Sequence, residues 1–247
     1  METTFYNLLD NLEQYLEYQR DNGVVRVEVD RAVFQSLRQS TVSVSTPAPA
    51  PVEYAKIPTS FSNYTEWQTQ LARCRNCSLG QGRVIQGIGC TEHPEIVFVD
   101  ETPPFEISDS RTIFKSASGK LLLKMIEAMG LGLDTVFVTY AVKCAPQKDQ
   151  FPKPEQQRSC QPLLLEQIRL LNPKVVVAMG AVALRNLVDD SVVFTHARGS
   201  WQSMENIQVM PTYRPATLLR DGKKKKETWN DLKQVLAALG KKPPTRK

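Results

Sequence analysis

Apolar and polar positions along the 247-residue chain fall into blocks that differ in period. Phe5, Leu8, Leu9, Leu12, Tyr15 and Leu16 recur at helical spacing and Gly23 supplies a stop, which predicts an amphipathic helix over residues 1–22. Alternation over 24–29 predicts a short strand, and 31–39 a second helix led by Asp30 as its cap. Residues 1–39 thus form a small helical appendage. Residues 40–60, rich in Ser, Thr, Ala and Pro with prolines at 47, 49 and 51, cannot bury a core and read as an extended linker.

From Phe61 the pattern changes to short apolar runs that alternate with helical periods. A helix over 62–71 leads to Cys74 and Cys77, and a passage with Gly80, Gly82, Gly87 and Gly89 follows. Strands are predicted at 96–99, 136–142, 174–180 and 207–210, each an apolar run short enough to be buried on both faces. Between and after them lie helices at 118–129, with Ser118 as cap, at 154–171, entered on Pro154 and ended by Asn172-Pro173, at 181–187 and at 227–239. This order predicts a three-layer α/β/α sandwich over 61–240 with a central, mostly parallel four-stranded sheet, followed by a basic tail, 241–247.

Parallel strands have a geometric consequence. Asp100 and Glu101, residues 140–143, Gly180, and Tyr213 with Arg214 all leave the sheet at its carboxyl edge, where open α/β sheets bind ligands. Pro103 and Pro104 stop the first of these strands directly after the two carboxylates.

Composition narrows the setting. Lys and Arg number 31 against 26 Asp and Glu, a formal charge of +5 that is compatible with a polyanionic partner without requiring one. No apolar run is long enough to span a membrane, and the acidic N-terminus lacks the pattern of a signal peptide, so a cytoplasmic location is expected. Five cysteines in that setting argue against a disulfide framework and leave metal binding, catalysis or core thiols open. Cys74 and Cys77 form a Cys-x-x-Cys, Cys144 and Cys160 lie far downstream, and Cys90 stands apart.

Several motifs then occur in one order: Cys74-Arg-Asn-Cys77; Phe98-Val-Asp-Glu-Thr-Pro103; Ile113-Phe114 ahead of a Gly-containing helix; Val142-Lys-Cys-Ala-Pro146; Cys160; Asn172-Pro-Lys-Val-Val-Val177; Ala197-Arg-Gly199; and Pro211-Thr-Tyr-Arg-Pro-Ala216. In these the chain from about residue 61 to 240 resembles the iron–sulfur, family 4 branch of the uracil-DNA glycosylase superfamily. The resemblance implies a 4Fe-4S cluster held by Cys74, Cys77, Cys144 and Cys160, with zinc on the same four thiolates, or two pairs of core thiols, as the competing readings. It implies hydrolysis of the N-glycosidic bond of a base flipped out of DNA, as in base excision repair. Glu101 falls on the family's water-handling Glu, Pro103 on its Pro, and Phe114 on its stacking aromatic.

Two positions depart from the pattern. Tyr140 stands where the family has an Asn that reads the uracil edge, and Arg214 where it has a His that stabilises the departing anion. Asp100 and Pro104 also replace glycines of the first turn. The phenol of Tyr140 reshapes the base pocket, since it offers one donor and acceptor in place of a fixed pair. Arg214 is open to three roles: stabilising the leaving anion, gripping a DNA phosphate, or neutralising Glu101.

The run Lys223 to Lys226 reads either as a solvated loop or as a phosphate-contacting patch in which Lys223 and Lys224 join Arg214. Cys90 reads as a buried thiol and Trp201 as packing, and His196 is placed in a loop. Two functions follow: a monomeric DNA repair glycosylase for uracil or another deaminated base, or a glycosylase fold with a decayed pocket that binds DNA, or a protein partner through the N-terminal appendage.

Overall fold

The computed structural model of the protein describes Leu16 and residues 57–81, 83–146 and 151–244. Apart from Leu16, the predicted helix at 1–22 lies outside the described residues, as do the helix at 31–39, the strand at 24–29, the linker up to residue 56 and the end of the basic tail.

Among the described residues six strands form one sheet: β1 (Ile88–Gly89), β2 (Ile96–Asp100), β3 (Val136–Tyr140), β4 (Val175–Met179), β5 (Gln202–Met204) and β6 (Ile207–Thr212), in the spatial order β1-β3-β2-β4-β6-β5. The four expected strands are its parallel centre, with Ile96 opposite both Val136 and Val175, and Val175 opposite Gln208. β1 and β5 add short antiparallel edges that the pattern did not indicate. β6 runs two residues beyond the expected end, through Pro211. A proline is tolerated there because the last β5 pairing is Gln202 with Val209, so no β5 residue faces the missing N–H.

From residue 57 on, the helices among the described residues are α1 (Tyr64–Leu71), α2 (Ala117–Ala128), α3 (Pro154–Leu171), α4 (Ala181–Leu187), α5 (Phe194–Ala197), α6 (Pro215–Arg220) and α7 (Lys225–Ala238). Alternate residues of β2, β3 and β4 enter two separate cores, which makes the three layers concrete. Ile96, Phe98, Val136, Val138, Val175 and Val177 pack with Leu122 and Ile126 of α2 and Leu232, Val235 and Leu236 of α7. On the other face Val97, Val99, Phe137, Val176 and Ala178 pack with Leu164 and Ile168 of α3 and with Val182 to Leu184 of α4. Burial on both faces is why these strands read as continuous apolar runs. A third, smaller cluster seats Trp67 and Leu71 of α1 on Leu163 of α3, and Trp67 Nε1 donates to the Leu163 carbonyl at 3.1 Å.

Local details correct three expectations. Ser116, not Ser118, caps α2: its Oγ accepts from Gly119 N at 3.0 Å, because the chain arrives through a 3-10 turn, Ser110–Lys115, that hands over directly to the helix. Gly119 is required at this junction, since a Cβ would run into the Ile113 carbonyl of that turn. His196 lies on the exposed face of α5 rather than in a loop. Cys90 is half-exposed, with Sγ donating to the Glu92 carbonyl at 3.3 Å. Trp201 packs half-buried against the first core, as expected.

Candidate active site and thiol cavity

At the carboxyl edge the sheet brings Asp100, Glu101, Tyr140, Gly180 and Arg214 together. β2 and β3 are in register up to Asp100 opposite Tyr140, and the pairing continues past the strands as Ala141 N donates to Asp100 O (2.7 Å) and Val142 N to Glu101 O (2.9 Å). From the other side Gly180 N donates to the Thr212 carbonyl at 3.0 Å, which fixes the end of β6 against the end of β4. Arg214 follows in extended conformation, and Pro215 opens α6 behind it.

The guanidinium of Arg214 is shared between two carboxylates. Nη1 donates to Glu101 Oε2 at 2.7 Å and Nε to Asp100 Oδ1 at 3.0 Å, in a setting where the Glu101 side chain is 2% exposed and that of Arg214 13%. Asp100 Oδ1 also accepts from Glu101 N at 2.8 Å, and Glu101 Oε1 accepts from Val182 N, at the start of α4, at 3.2 Å. Gly180 has φ +94°, and a Cβ there would run into the Glu101 carboxylate, so the glycine makes room for the acid. Of the three roles open to Arg214, the structure supplies the pairing with Glu101 and adds Asp100, whose part sequence reasoning missed. Adjacent carboxylates at 100 and 101 opposite an arginine were the only available signal.

Burial dominates the electrostatics. It pushes the Glu101 carboxyl above its usual range, Arg214 opposes this, and the neighbouring charge of Asp100 adds to it. Tyr140, 4% exposed, has its phenol pushed up by burial and by Asp100, so it is a neutral hydroxyl at any physiological pH. Phe114 is half-buried against the same apolar cluster that contains Tyr140, and Pro103 is buried in the turn after Glu101.

The segment that carries Arg214 is braced from α7. Asp231, 2% exposed, accepts from Thr212 Oγ1 at 2.7 Å and from Arg198 Nη1 at 3.0 and 3.1 Å. Tyr213 lies between two cations, with Arg198 Cζ 5.2 Å and Lys224 Nζ 4.8 Å from its ring centroid. Lys224 is thus placed beside the residue that precedes Arg214, while Lys223 stays exposed in the 3-10 turn Gly222–Lys224. Nothing in the sequence marked Asp231, because its meaning depends on how α7 crosses β6.

Away from this site, Cys74, Cys77, Cys144 and Cys160 line one cavity, together with Lys143 and Leu163 among others. Chain segments remote in sequence meet there: Val84 bridges Cys144, and Lys143 N donates to Cys160 Sγ at 3.3 Å. Burial pushes the Cys160 thiol up to about 11 and raises Cys74 and Cys144 as well, so a metal that takes these groups as thiolates must displace their protons. Among the described residues no three His, Cys, Asp or Glu side chains are grouped closely enough for a single ion.

The sequence profile of the Uracil DNA glycosylase superfamily matches residues 86–233. The chain is 31% identical over 186 residues to the type-4 uracil-DNA glycosylase of Archaeoglobus fulgidus, covering 71% of this chain and 93% of that one. It is 35% identical over 158 residues to the protein of the same description from Thermotoga maritima (62% and 81% covered), and 33% over 177 residues to that of Sulfurisphaera tokodaii (67% and 80%).

Proposed function

The chain belongs to the uracil DNA glycosylase superfamily, and from that premise we propose that it is a DNA repair enzyme that hydrolyses the N-glycosidic bond of uracil, or another deaminated base, turned out of DNA. The relatives named type-4 uracil-DNA glycosylase favour this enzyme over a binding module that has lost its activity. The observation that carries the reading is the buried Glu101 carboxylate, held between Arg214 and the Val182 amide beside the buried Tyr140.

A base inside a duplex cannot be reached, so the nucleotide rotates into the crevice at the carboxyl edge. Phe114 stacks on the base and Tyr140 bounds its pocket, with Pro103 shaping the turn beside them. Glu101 orients a water toward C1′ of the sugar and accepts its proton as the new C–O bond forms. The C–N bond breaks with its electron pair on the pyrimidine, and the guanidinium of Arg214 faces that anion. Asp100 keeps Arg214 anchored by Nε when Nη1 turns from Glu101 to the leaving base. Lys224 and Lys223 border the same edge and suit DNA phosphates, which predicts salt-sensitive binding.

Cys74, Cys77, Cys144 and Cys160 fit a 4Fe-4S cluster in their donor chemistry: four thiols drawn from remote parts of the chain line one cavity. When bound it supplies a cross-link between the approach from α1, the exit of β3 and α3. No helix among the described residues is long and apolar enough to cross a membrane. A cytoplasmic monomer acting on DNA is the form we propose.

The test is stoichiometric protein on uracil-, hypoxanthine- and xanthine-containing oligonucleotides followed by alkali. Strand cleavage at uracil is expected. Absence of abasic sites from every substrate would overturn the reading.

A further inference from the structure

Lys143 is buried beside the four thiols, and among the described residues no carboxylate pairs with it. It is 1% exposed and lines their cavity. Its Nζ donates to Thr139 Oγ1 at 2.9 Å and to Gln167 Oε1 at 2.5 Å, both neutral acceptors, and stands 5.7 Å from the Trp67 ring centroid. Its backbone N–H makes the 3.3 Å bond to Cys160 Sγ described above. A cation without a counter-charge in the interior is costly, because burial strips it of water and nothing opposite in sign replaces it. A 4Fe-4S core on four thiolates has the complementary problem, since its net charge is negative and it too is removed from water.

We propose that Lys143 is the charge-balancing and positioning residue of the cluster: its ammonium offsets the negative charge of the thiolate-bound core, and its amide hydrogen bond fixes the Cys160 sulfur. The inference rests on the cluster reading and adds a consequence of definite sign. Reduction makes the core more negative, so a buried cation nearby favours the reduced state and raises the potential. Thr139 and Gln167 accept from Nζ without supplying a counter-charge. Trp67 closes the remaining side with an aromatic face, which a cation tolerates.

The experiment uses the full-length protein carrying its cluster. Visible absorption with iron and sulfide content first establishes the cluster in the wild type; failure at that step refutes the cluster reading itself. Lys143→Gln, which keeps a polar group but loses the charge, and Lys143→Met are then titrated redox-potentiometrically. Each is expected to make reduction roughly tenfold less favourable, about 59 mV lower for a one-electron couple. Thr139→Val, which removes one acceptor and leaves the charge, is expected to retain the wild-type potential. Wild-type potentials in both Lys143 variants would overturn the proposal. Should neither variant accumulate, an ε-15N-lysine spectrum of the wild-type holoprotein decides. One exchange-protected ammonium with relaxation enhanced by the cluster is expected, and a spectrum without such a signal would refute the assignment.

Discussion

Arg214 Nη1 lies 2.7 Å from Glu101 Oε2, so the residue proposed to face the leaving anion holds the acid proposed to orient the water. The pair is asymmetric. Burial drives the Glu101 carboxyl above its usual value of 4.5, and the charge of Arg214 is the largest influence pulling it back. If Glu101 acts as a base, excision falls as pH drops through this raised value, giving an acid limb above the ordinary Glu range. Arg214→Met removes the opposing charge and is expected to move that limb to higher pH. Single-turnover rates across pH measure the shift, and a limb that stays put would mean that another group controls it.

Glu101→Gln separates chemistry from stability. Loss of the base is expected to slow excision by about 100- to 10,000-fold. The stability effect runs the other way. A carboxyl whose folded-state pKa is raised contributes stability below its unfolded value, and that contribution is lost as pH rises through the folded one. The neutral amide escapes this loss, so at neutral pH the variant is expected to melt no lower than the wild type, with any advantage closing near pH 4. A variant that melts lower at neutral pH would show that the Arg214 pair outweighs burial.

What could be read in the sequence follows from which interactions are local. β2, β3 and β4 were legible because each is buried at every position, and a strand between two cores needs an unbroken apolar run. α3 was legible at both ends, through Pro154 at its start and Asn172 in the left-handed conformation at its stop. β1 and β5 were not, since Ile88–Gly89 and Gln202–Met204 are too short and mixed to show a period and exist only through the neighbours they pair with. The site divides in the same way. Glu101, Tyr140 and Arg214 could be assigned to one edge from strand order alone. That Arg214 grips Asp100 as well, and that Lys143 lies between neutral acceptors, depends on distances between remote segments.

In the proposed reaction, Tyr140 bounds the base pocket and is the residue expected to set base choice. Tyr140→Asn restores a carboxamide with a fixed donor and acceptor pair where a single phenol stands. Removal of a side chain this deeply buried is expected to cost about 2–4 kcal/mol, read as a lower urea midpoint. Uracil excision relative to hypoxanthine and xanthine is expected to rise, because the amide can read the pyrimidine edge and the pocket enlarges. Unchanged ratios among the three substrates would remove Tyr140 from the specificity pocket.

Gly180 tests the geometry of the acid most directly, because it touches neither charge nor hydrogen-bonding capacity. Its φ of +94° already disfavours any other residue, and a Cβ would occupy space taken by the Glu101 carboxylate. Gly180→Ala is therefore expected to cost about 1–3 kcal/mol in backbone strain and to push Glu101 away from the Val182 amide. Strain alone would lower the melting temperature and leave the rate of the surviving folded enzyme intact, whereas displacement of Glu101 lowers the single-turnover rate itself. A double-mutant cycle distinguishes the two. If Gly180 acts through Glu101, adding Gly180→Ala to Glu101→Gln changes the rate little, since the group it would displace no longer serves as base. Equal rate losses in both backgrounds would show that the glycine serves the site by another route.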